Sequence, residues 1–376
     1  PYKTAVTAPC IEACPARLDI PGYIELIRNN KFDESLDLIR KRCILPGVIG
    51  RACTHPCEEA CIRNGIDQTL AIRLLKRAAA DNDLASGGGA LKKPTAERPE
   101  KVAIVGAGPA GLAAAYHLRR MGYQVTIFEA FPKGGGMAAV GIPDYRLPKN
   151  ILEHETRLIR ELGADIQYNR KITKLDMDEL TAQGFKAVFL GVGAHEGTRM
   201  GCKGEDAGYE GFVDGAVFLR DLALGKPVEP KGKVVIVGGG NVAMDCARSC
   251  LRLGFKDVEI LYRRTRKEMP ARAEEIDEAL EEGVKIRYLV APVSVLADGN
   301  RVKGLECIRM KLGEPDSSGR RRPVPVKGSE FKVKADMVIP AIGQKPELGF
   351  AGDVLQVTGW GTIEVNPETL RTNLEG

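Results

Sequence analysis

Lys101-Val-Ala-Ile-Val-Gly-Ala-Gly-Pro-Ala-Gly111 decides the fold. Five strand-forming residues run into G-x-G-x-x-G at Gly106, Gly108 and Gly111, and an alanine-rich helical stretch, Pro109–Met121, follows. The first glycine permits a tight turn, the second lets backbone approach a pyrophosphate, and the third lets the helix sit close to the sheet. The helix N-terminus, with Pro109 and Ala110 in its first turn, offers unpaired N–H groups and partial positive charge to phosphates. Gln124–Glu129 reads as the next strand, and Glu129 at its end can accept from a ribose hydroxyl. The competing reading is a glycine-rich turn with no ligand. Strand, helix and terminal acid in register count against it.

The same order returns at Lys233-Val-Val-Ile-Val-Gly-Gly-Gly-Asn-Val-Ala243, followed by a helix over Val242–Leu253 and a strand over Val258–Tyr262. Gly238, Gly240 and Ala243 give G-x-G-x-x-A, with Asn241 and Val242 opening the helix. One such loop indicates one dinucleotide. Two in a single chain point to a flavin and a nicotinamide held face to face. The second copy runs on into Tyr262-Arg263-Arg264 rather than an acid. Guanidinium binds phosphate with paired hydrogen bonds, so Arg263 and Arg264 favour the 2′-phosphate of NADPH over NADH. The plainer reading leaves them facing water or pairing with Glu268.

Between the copies, Gly134-Gly-Gly-Met-Ala-Ala-Val-Gly-Ile-Pro-Asp-Tyr-Arg-Leu-Pro148 is a glycine-rich loop that can lie against a flavin ring or its ribityl chain. Beyond them, Glu274–Glu282 reads as a helix. Met337–Ile342 reads as a strand that re-enters the first domain. Before them the chain looks helical, with apolar residues at three- and four-residue steps over Pro21–Arg28, Phe32–Arg42 and Thr69–Asp81. Asp83–Pro99, with Gly87-Gly88-Gly89, reads as a linker.

The chain's 376 residues allow two or three domains, and 44% hydrophobic content is ordinary for a globular protein. The net charge of +5 gives no case for nucleic acid, and no eighteen-residue apolar run suggests a membrane span. Arg320–Arg322, beside Gly319, Pro323 and Pro325, reads as a solvated loop.

Six of the ten cysteines precede residue 62: Cys10, Cys14, Cys43, Cys53, Cys57 and Cys61. A secreted disulfide scaffold would be short and loop-rich, whereas these cofactor motifs belong to intracellular metabolism, so a cytoplasmic enzyme is expected. Cys10-x3-Cys14-Pro15 resembles the end of a bacterial ferredoxin motif. Thiolates converging from loops between helices suit an iron–sulfur cluster. Zinc is the alternative; the cluster is favoured because a redox centre beside a flavin has a purpose. Cys246 and Cys250 lie one helical turn apart and lack C-x2-C spacing, so they read as core rather than a redox disulfide.

Taken together, these residues resemble the glutamate synthase small (beta) subunit family. That group includes the NADPH-binding subunit of NADH-dependent ferredoxin:NADP oxidoreductase and the N-terminal half of dihydropyrimidine dehydrogenase. The resemblance rests on Cys10–Pro15, Gly50–Cys61, Val105–Gly111, Gly141–Pro148, Tyr262–Ala271 and Ile339–Gly343. It implies an α/β fold of two Rossmann-like domains, the NAD(P) domain inserted in the FAD domain, behind a helical iron–sulfur domain. The expected segments are 1–99 for the iron–sulfur domain and linker, 100–230 for the FAD domain, 231–335 for the NAD(P)H domain and 336–376 for the FAD return. Implied cofactor contacts extend to Ala130, Gly135, Met137, Ile142, Arg146, Gly193, Ala194, Ala341 and Gly343.

By the same resemblance, one or two 4Fe–4S clusters are expected. Cys10 and Cys61 would join a C-x2-C pair that the family usually carries upstream of Cys10 and that this sequence does not show, and Cys14, Cys53 and Cys57 would serve another cluster. The latter often takes a Glu or Gln from the helix at Leu74–Arg77. Lys76 and Arg77 stand there, and Cys43 is the candidate substitute. A Gly-Asp motif that meets the flavin is expected beyond Gly376, with Ala351-Gly352-Asp353 a coincidental likeness. The implied activity is hydride exchange between nicotinamide and flavin, coupled to iron–sulfur centres, with no side-chain acid or base. The implied partner is a catalytic subunit or ferredoxin-like carrier in a hetero-oligomer. Glutamate synthase, a formate, aldehyde or hydrogen oxidoreductase and a bifurcating transhydrogenase all fit; an adapter that keeps its cofactors without catalysis is the other class.

Overall fold

The computed structural model describes residues 7–376. Its N-terminal part is six helices: α1 (Pro9–Ala13), α2 (Ile20–Arg28), α3 (Phe32–Arg40), α4 (Pro46–Ala52), α5 (Pro56–Glu59) and α6 (Ile72–Ala85). Proline opens α1, α4 and α5 within their first turn, where its missing N–H costs nothing. The buried face of α6 carries Ile72, Lys76, Ala79 and Asp83 at helical spacing. Leu18, Ile20, Tyr23, Ile39 and Ile72 pack with Cys43 and Cys57 into a small core.

The first nucleotide unit alternates strand and helix: β1 (Lys101–Val105), α7 (Pro109–Arg120), β2 (Gln124–Phe128), α8 (Met137–Val140), α9 (Lys149–Glu161), β3 (Asp165–Gln167), α10 (Met177–Ala182) and β4 (Phe185–Leu190). Its sheet is parallel, in the order β3-β2-β1-β4. Short β5 (Glu196–Gly197) and α11 (Gly215–Ala223) lead to the second unit: β6 (Lys233–Val237), α12 (Asn241–Leu253), β7 (Asp257–Tyr262), α13 (Ala273–Glu281) and β8 (Lys285–Tyr288). An antiparallel group follows, β9 (Val290–Asp298), β10 (Arg301–Pro315), β11 (Arg321–Pro325) and β12 (Phe331–Lys334). The chain then forms β13 (Met337–Pro340) and β14 (Gln344–Lys345).

Three expectations need correction. Met337–Ile342 does form a strand, but β13 pairs in parallel with β6, extending the second sheet in the order β13-β6-β7-β8. Val338 and Ile339 are fully buried there, which is what an apolar run beside a buried parallel strand satisfies. The return to the first unit comes just later, where β14 pairs antiparallel with β5. Beyond it Ala351 and Leu355 pack with Ala103, Phe128 and Phe185. Second, Arg321 and Arg322 are exposed, as expected, but lie in strand β11, paired to β10, rather than in a loop. Third, Asp83 opens no linker: it is a buried residue of α6, ion-paired with Arg40 at 2.8 Å and with His154 at 3.1 Å.

The helical part is fastened to the first unit. Leu45 and Val48 enter that unit's core beside Ile151 and Leu152. Helix α4 has no side-chain cap of its own. The Glu155 carboxylate of α9 supplies one instead, accepting from Gly47 N–H at 2.6 Å and Val48 N–H at 3.1 Å.

Candidate functional site

The two glycine loops repeat one geometry. Gly106 takes φ +101, and a Cβ there would come 2.5 Å from the Gly191 carbonyl oxygen. Gly238 takes φ +150, and its Cβ would come 2.2 Å from the Ala341 oxygen. In each loop the chain leaving the neighbouring strand donates back: Gly191 N–H to Val105 O at 2.8 Å, and Ala341 N–H to Val237 O at 2.7 Å. Gly108 and Gly240 are the N-caps of α7 and α12, both extended, neither helix capped by a side chain. Two bare helix N-termini therefore stand over the two sheets, the arrangement that holds a pyrophosphate.

At the first loop, Gly135 N–H donates to Ala107 O at 2.7 Å, laying one glycine run on the other. A Cβ on Gly136, at φ +51, would come 2.8 Å from Gly108 Cα. A Cβ on Gly108 would meet nothing nearer than 3.8 Å, so room remains on its outer side, and Pro109 and Ala110 are exposed there. Gly111 is held tight, since its Cβ would lie 1.9 Å from Gly106 O. Glu129 is buried and accepts from Ala107 N–H at 2.7 Å and Phe131 N–H at 2.8 Å. Burial pushes its carboxyl above the ordinary value, with those N–H groups pulling back. It thus tethers the loop, and each oxygen keeps a lone pair for a ribose hydroxyl. Ala130 follows it on the surface, and Met137 and Ile142 pack partly buried against the core. The residues present fit a flavin dinucleotide.

At the crossing between the units, Gln344 Nε2 donates to Ala194 O at 3.2 Å and Thr198 N–H to Gly343 O at 2.9 Å, with Gly193 at φ +69 alongside. Gly193, Ala194 and Gly343 are therefore brought together, while Ala341 belongs to the second loop.

At the second loop, Tyr262 occupies the register of Glu129, since Val237 pairs with Leu261 as Val105 pairs with Phe128. Its ring closes on Gly239, where a Cβ would lie 2.5 Å away, and its hydroxyl donates to Glu268 O at 2.6 Å. Arg263 is exposed and, among the described residues, makes no ion pair. Arg264 departs from expectation. It is buried, donates from Nε to Arg321 O at 2.7 Å and pairs with Asp316 at 2.7 Å. It anchors the β10–β11 hairpin, so of the two arginines only Arg263 is free to meet a phosphate. Glu268 pairs with neither; its carboxylate completes a capping box with Thr265. Val242 packs against the core, and Ala243, Cys246 and Cys250 are wholly buried. Burial raises the Cys250 thiol to about 12, as a packing residue requires and a redox disulfide does not.

Arg146, expected at the flavin, is drawn elsewhere. Its guanidinium pairs with Asp245 of α12 at 2.6 Å and Glu275 of α13 at 3.1 Å. Tyr145 OH donates to Asp245 at 3.3 Å, and Arg248 and Arg252 cover the Tyr145 ring at 4.7 and 3.8 Å. The sequence names Tyr145 and Arg146 as a motif but carries no signal that its partner is Asp245. Burial and the nearby Glu275 push Asp245 up to about 6 against the pull of Arg146.

The cysteines gather in the helical part. Cys43 and Cys57 are buried in its core, with Cys10 and Cys14 against them. Burial first, then Cys61 and Cys14, push the Cys10 thiol above its ordinary value; Cys14 and Cys53 add to the effect of burial on Cys57. Burial drives Cys57 and Cys43 up to about 11. The Leu70 N–H, foremost among several donors, holds Cys61 below its ordinary value. His55, in the left-handed region at φ +47, donates its N–H to Cys53 Sγ at 3.2 Å. Among the described residues no three His, Cys, Asp or Glu side chains converge enough to share one metal ion. No helix among the described residues is long and apolar enough to cross a membrane.

Comparison with known proteins agrees with this architecture. Residues 100–376 match the model of the pyridine nucleotide-disulphide oxidoreductases, and residues 4–87 match the dihydropyrimidine dehydrogenase domain II, 4Fe-4S cluster model. The chain is 51% identical to the NADP(+)-dependent formate dehydrogenase subunit beta of Moorella thermoacetica, over all of this chain and 56% of that one. It is 35% identical to the glutamate synthase [NADPH] small chain of Escherichia coli, over 90% of this chain and 74% of that one. The chain thus spans little more than half the length of the formate dehydrogenase subunit. Mycobacterium tuberculosis FprA in complex with NADPH superposes with a TM-score of 0.60 at 18% identity, covering 69% of this chain and 74% of that one, a likeness of fold.

Proposed function

The chain belongs to the pyridine nucleotide-disulphide oxidoreductase family, with a 4Fe-4S domain before it, and from that premise we propose that it is the nicotinamide-linked electron-transfer subunit of a larger enzyme. In this reading it moves electrons between NADPH, FAD and 4Fe–4S clusters, to or from a partner. The observation that carries the reading is the repeated loop geometry, Gly106–Gly191 beside Gly238–Ala341, each under an uncapped helix N-terminus.

When bound, such groups supply hydride exchange and one-electron relay, chemistry that is theirs and not the side chains'. The chain's own residues would bind and orient. The α7 N-terminus and Gly108 would take the flavin pyrophosphate, with Glu129 on the ribose. The α12 N-terminus would take the nicotinamide pyrophosphate, and Arg263 the 2′-phosphate. Arg146 and Tyr145, docked on Asp245, would fix one unit against the other, so that two ligands meet at a set distance. Cys10, Cys14, Cys53, Cys57 and Cys61 would hold iron, with Cys43 the reserve ligand.

The 51% identity to an NADP(+)-dependent formate dehydrogenase subunit and 52% to an NADPH-Fe(3+) oxidoreductase subunit of Geobacter sulfurreducens, against 35% to a glutamate synthase subunit, favour a partner of the first two kinds, with electrons passing to or from NADPH. The test is anaerobic reduction of a one-electron dye by NADPH or NADH, with flavin, iron and sulfide assayed on the same sample. NADPH-driven turnover by flavin- and iron-containing protein is expected. Bound cofactors without turnover would instead indicate the adapter class.

A further inference from the structure

Lys76 is a buried lysine with no acid partner among the described residues. It lies between Ile72 and Ala79 on the inner face of α6, 5% exposed, and among the described residues it makes no ion pair. Asp83, two turns on, is already engaged by Arg40 and His154. An isolated buried charge costs several kcal/mol and persists only where an opposite charge balances it. Ile72 and Ala79, which bracket Lys76 on that face, pack into the same small core as Cys43 and Cys57, and the lysine's charge pulls both thiols down against the rise from burial.

Two further cations converge on the next cysteine. Arg73, one turn earlier on α6, donates to Cys53 O at 3.4 Å, and Arg272, from the second nucleotide unit, donates to the same oxygen at 3.1 Å. Both Nε atoms are buried without partners, as are both ring nitrogens of His55 by hydrogen-bond geometry, although His55 Nδ1 lies 3.1 Å from Glu58. Glu274 reaches Arg272 at 3.1 Å and Arg73 at 3.7 Å, and Glu275 reaches Arg272 at 3.3 Å. Glu274 and Glu275 lie on the nucleotide side; on the cysteine side Glu58 accepts from the Arg73 backbone N–H at 2.7 Å and lies 3.1 Å from His55 Nδ1. The Arg272 N–H is held in turn by Asn241 Oδ1 at 3.2 Å, in the first turn behind the second glycine loop.

We propose that Lys76, seconded by Arg73 and Arg272, is the built-in counter-charge of the iron–sulfur cluster that Cys53 and Cys57 help to hold, and that it raises that cluster's reduction potential. The inference rests on the iron–sulfur reading of these cysteines. Reduction adds one electron, supplied by the reduced nicotinamide through the flavin, and breaks no bond. The added negative charge sits beside fixed cations in a site of low dielectric, where Coulomb terms are large. Where a carboxylate or amide ligand was expected, the chain places a charge instead, leaving ligation to thiolates.

The experiment is an anaerobic redox titration of the full chain read by electron paramagnetic resonance, with iron and sulfide counted, on the wild type, K76M, K76R and R272Q. K76M is expected to keep its iron and to lose at least tenfold in the equilibrium for one-electron reduction, which is 59 mV. K76R, keeping the charge, should stay near wild type, and R272Q should shift the same way by less. If K76M sheds its cluster, R272Q decides: a lowered potential supports the proposal and an unchanged one overturns it. Full iron with unshifted potentials in K76M overturns it while leaving the cluster reading intact. A wild type without iron or sulfide overturns both.

Discussion

Arg146 Nη1 of the first nucleotide unit lies 2.6 Å from Asp245 Oδ2 of the second, and both side chains are almost wholly out of water. The pair joins the loop after α8 to the helix under the second glycine loop, so the contact that docks the domains also touches the elements expected to hold their ligands.

Removing one partner of such a pair strands the other's charge. R146A leaves both Asp245 and Glu275 without this cation and should cost about 3–5 kcal/mol in urea unfolding. R146K keeps the charge but loses the fork that reaches two acids and should fall between. The same variants should slow NADPH-driven flavin reduction. Wild-type stability in R146A would show that the clamp is not structural.

Glu155 makes stability depend on pH. Burial lifts its carboxyl from the ordinary 4.5 to about 7, despite the Gly47 and Val48 N–H groups. Between those values the folded protein keeps a proton that the unfolded chain has released, so stability falls as pH rises through the window and levels off above it. The fall should be about 3 kcal/mol at most. E155Q, neutral throughout, should flatten the slope of urea midpoints between pH 4.5 and 7; an unaltered slope would assign it to other groups.

Arg263 and Arg264 should separate cleanly. R263A removes the exposed guanidinium and should reduce the preference for NADPH over NADH by about tenfold or more, the value of one charge-assisted hydrogen bond. R264A strands Asp316 and loosens the β10–β11 hairpin, lowering stability with the preference intact. A preference lost in R264A and kept in R263A would reverse the assignment.

Gly111 and Ala243 hold equivalent places with unequal tolerance. G111A drives a Cβ to 1.9 Å from Gly106 O, where only backbone movement gives relief. It should lose flavin binding outright, as measured by flavin released on denaturing the purified protein. A243G removes a buried methyl and should cost about 1 kcal/mol with nucleotide binding retained.

The two glycine loops were legible because their chemistry is local. Turn, helix start and strand end occupy one short stretch, and Gly106 and Gly238 need the backbone freedom that only glycine has. The cysteine segment was legible for the same reason. What the sequence hid was partnership at long range. Nothing in Tyr145-Arg146 names Asp245, and nothing in Arg264 names Asp316, because a fork of donors serves a phosphate or a carboxylate equally well. The placement of β13 escaped because Val338-Ile339 suits the edge of either sheet, and the choice lies in the chain's path across β5 and β14. The role of Glu155 as the cap of α4 escaped because helix caps are ordinarily sought among neighbours in sequence.

The most direct measurement is the visible spectrum of anaerobically purified protein before and after one equivalent of NADPH. The account predicts yellow-brown protein, with flavin bands over a broad iron–sulfur absorbance and both bleaching on addition of the nucleotide. A colourless protein, or a coloured one that NADPH leaves unchanged, would contradict it.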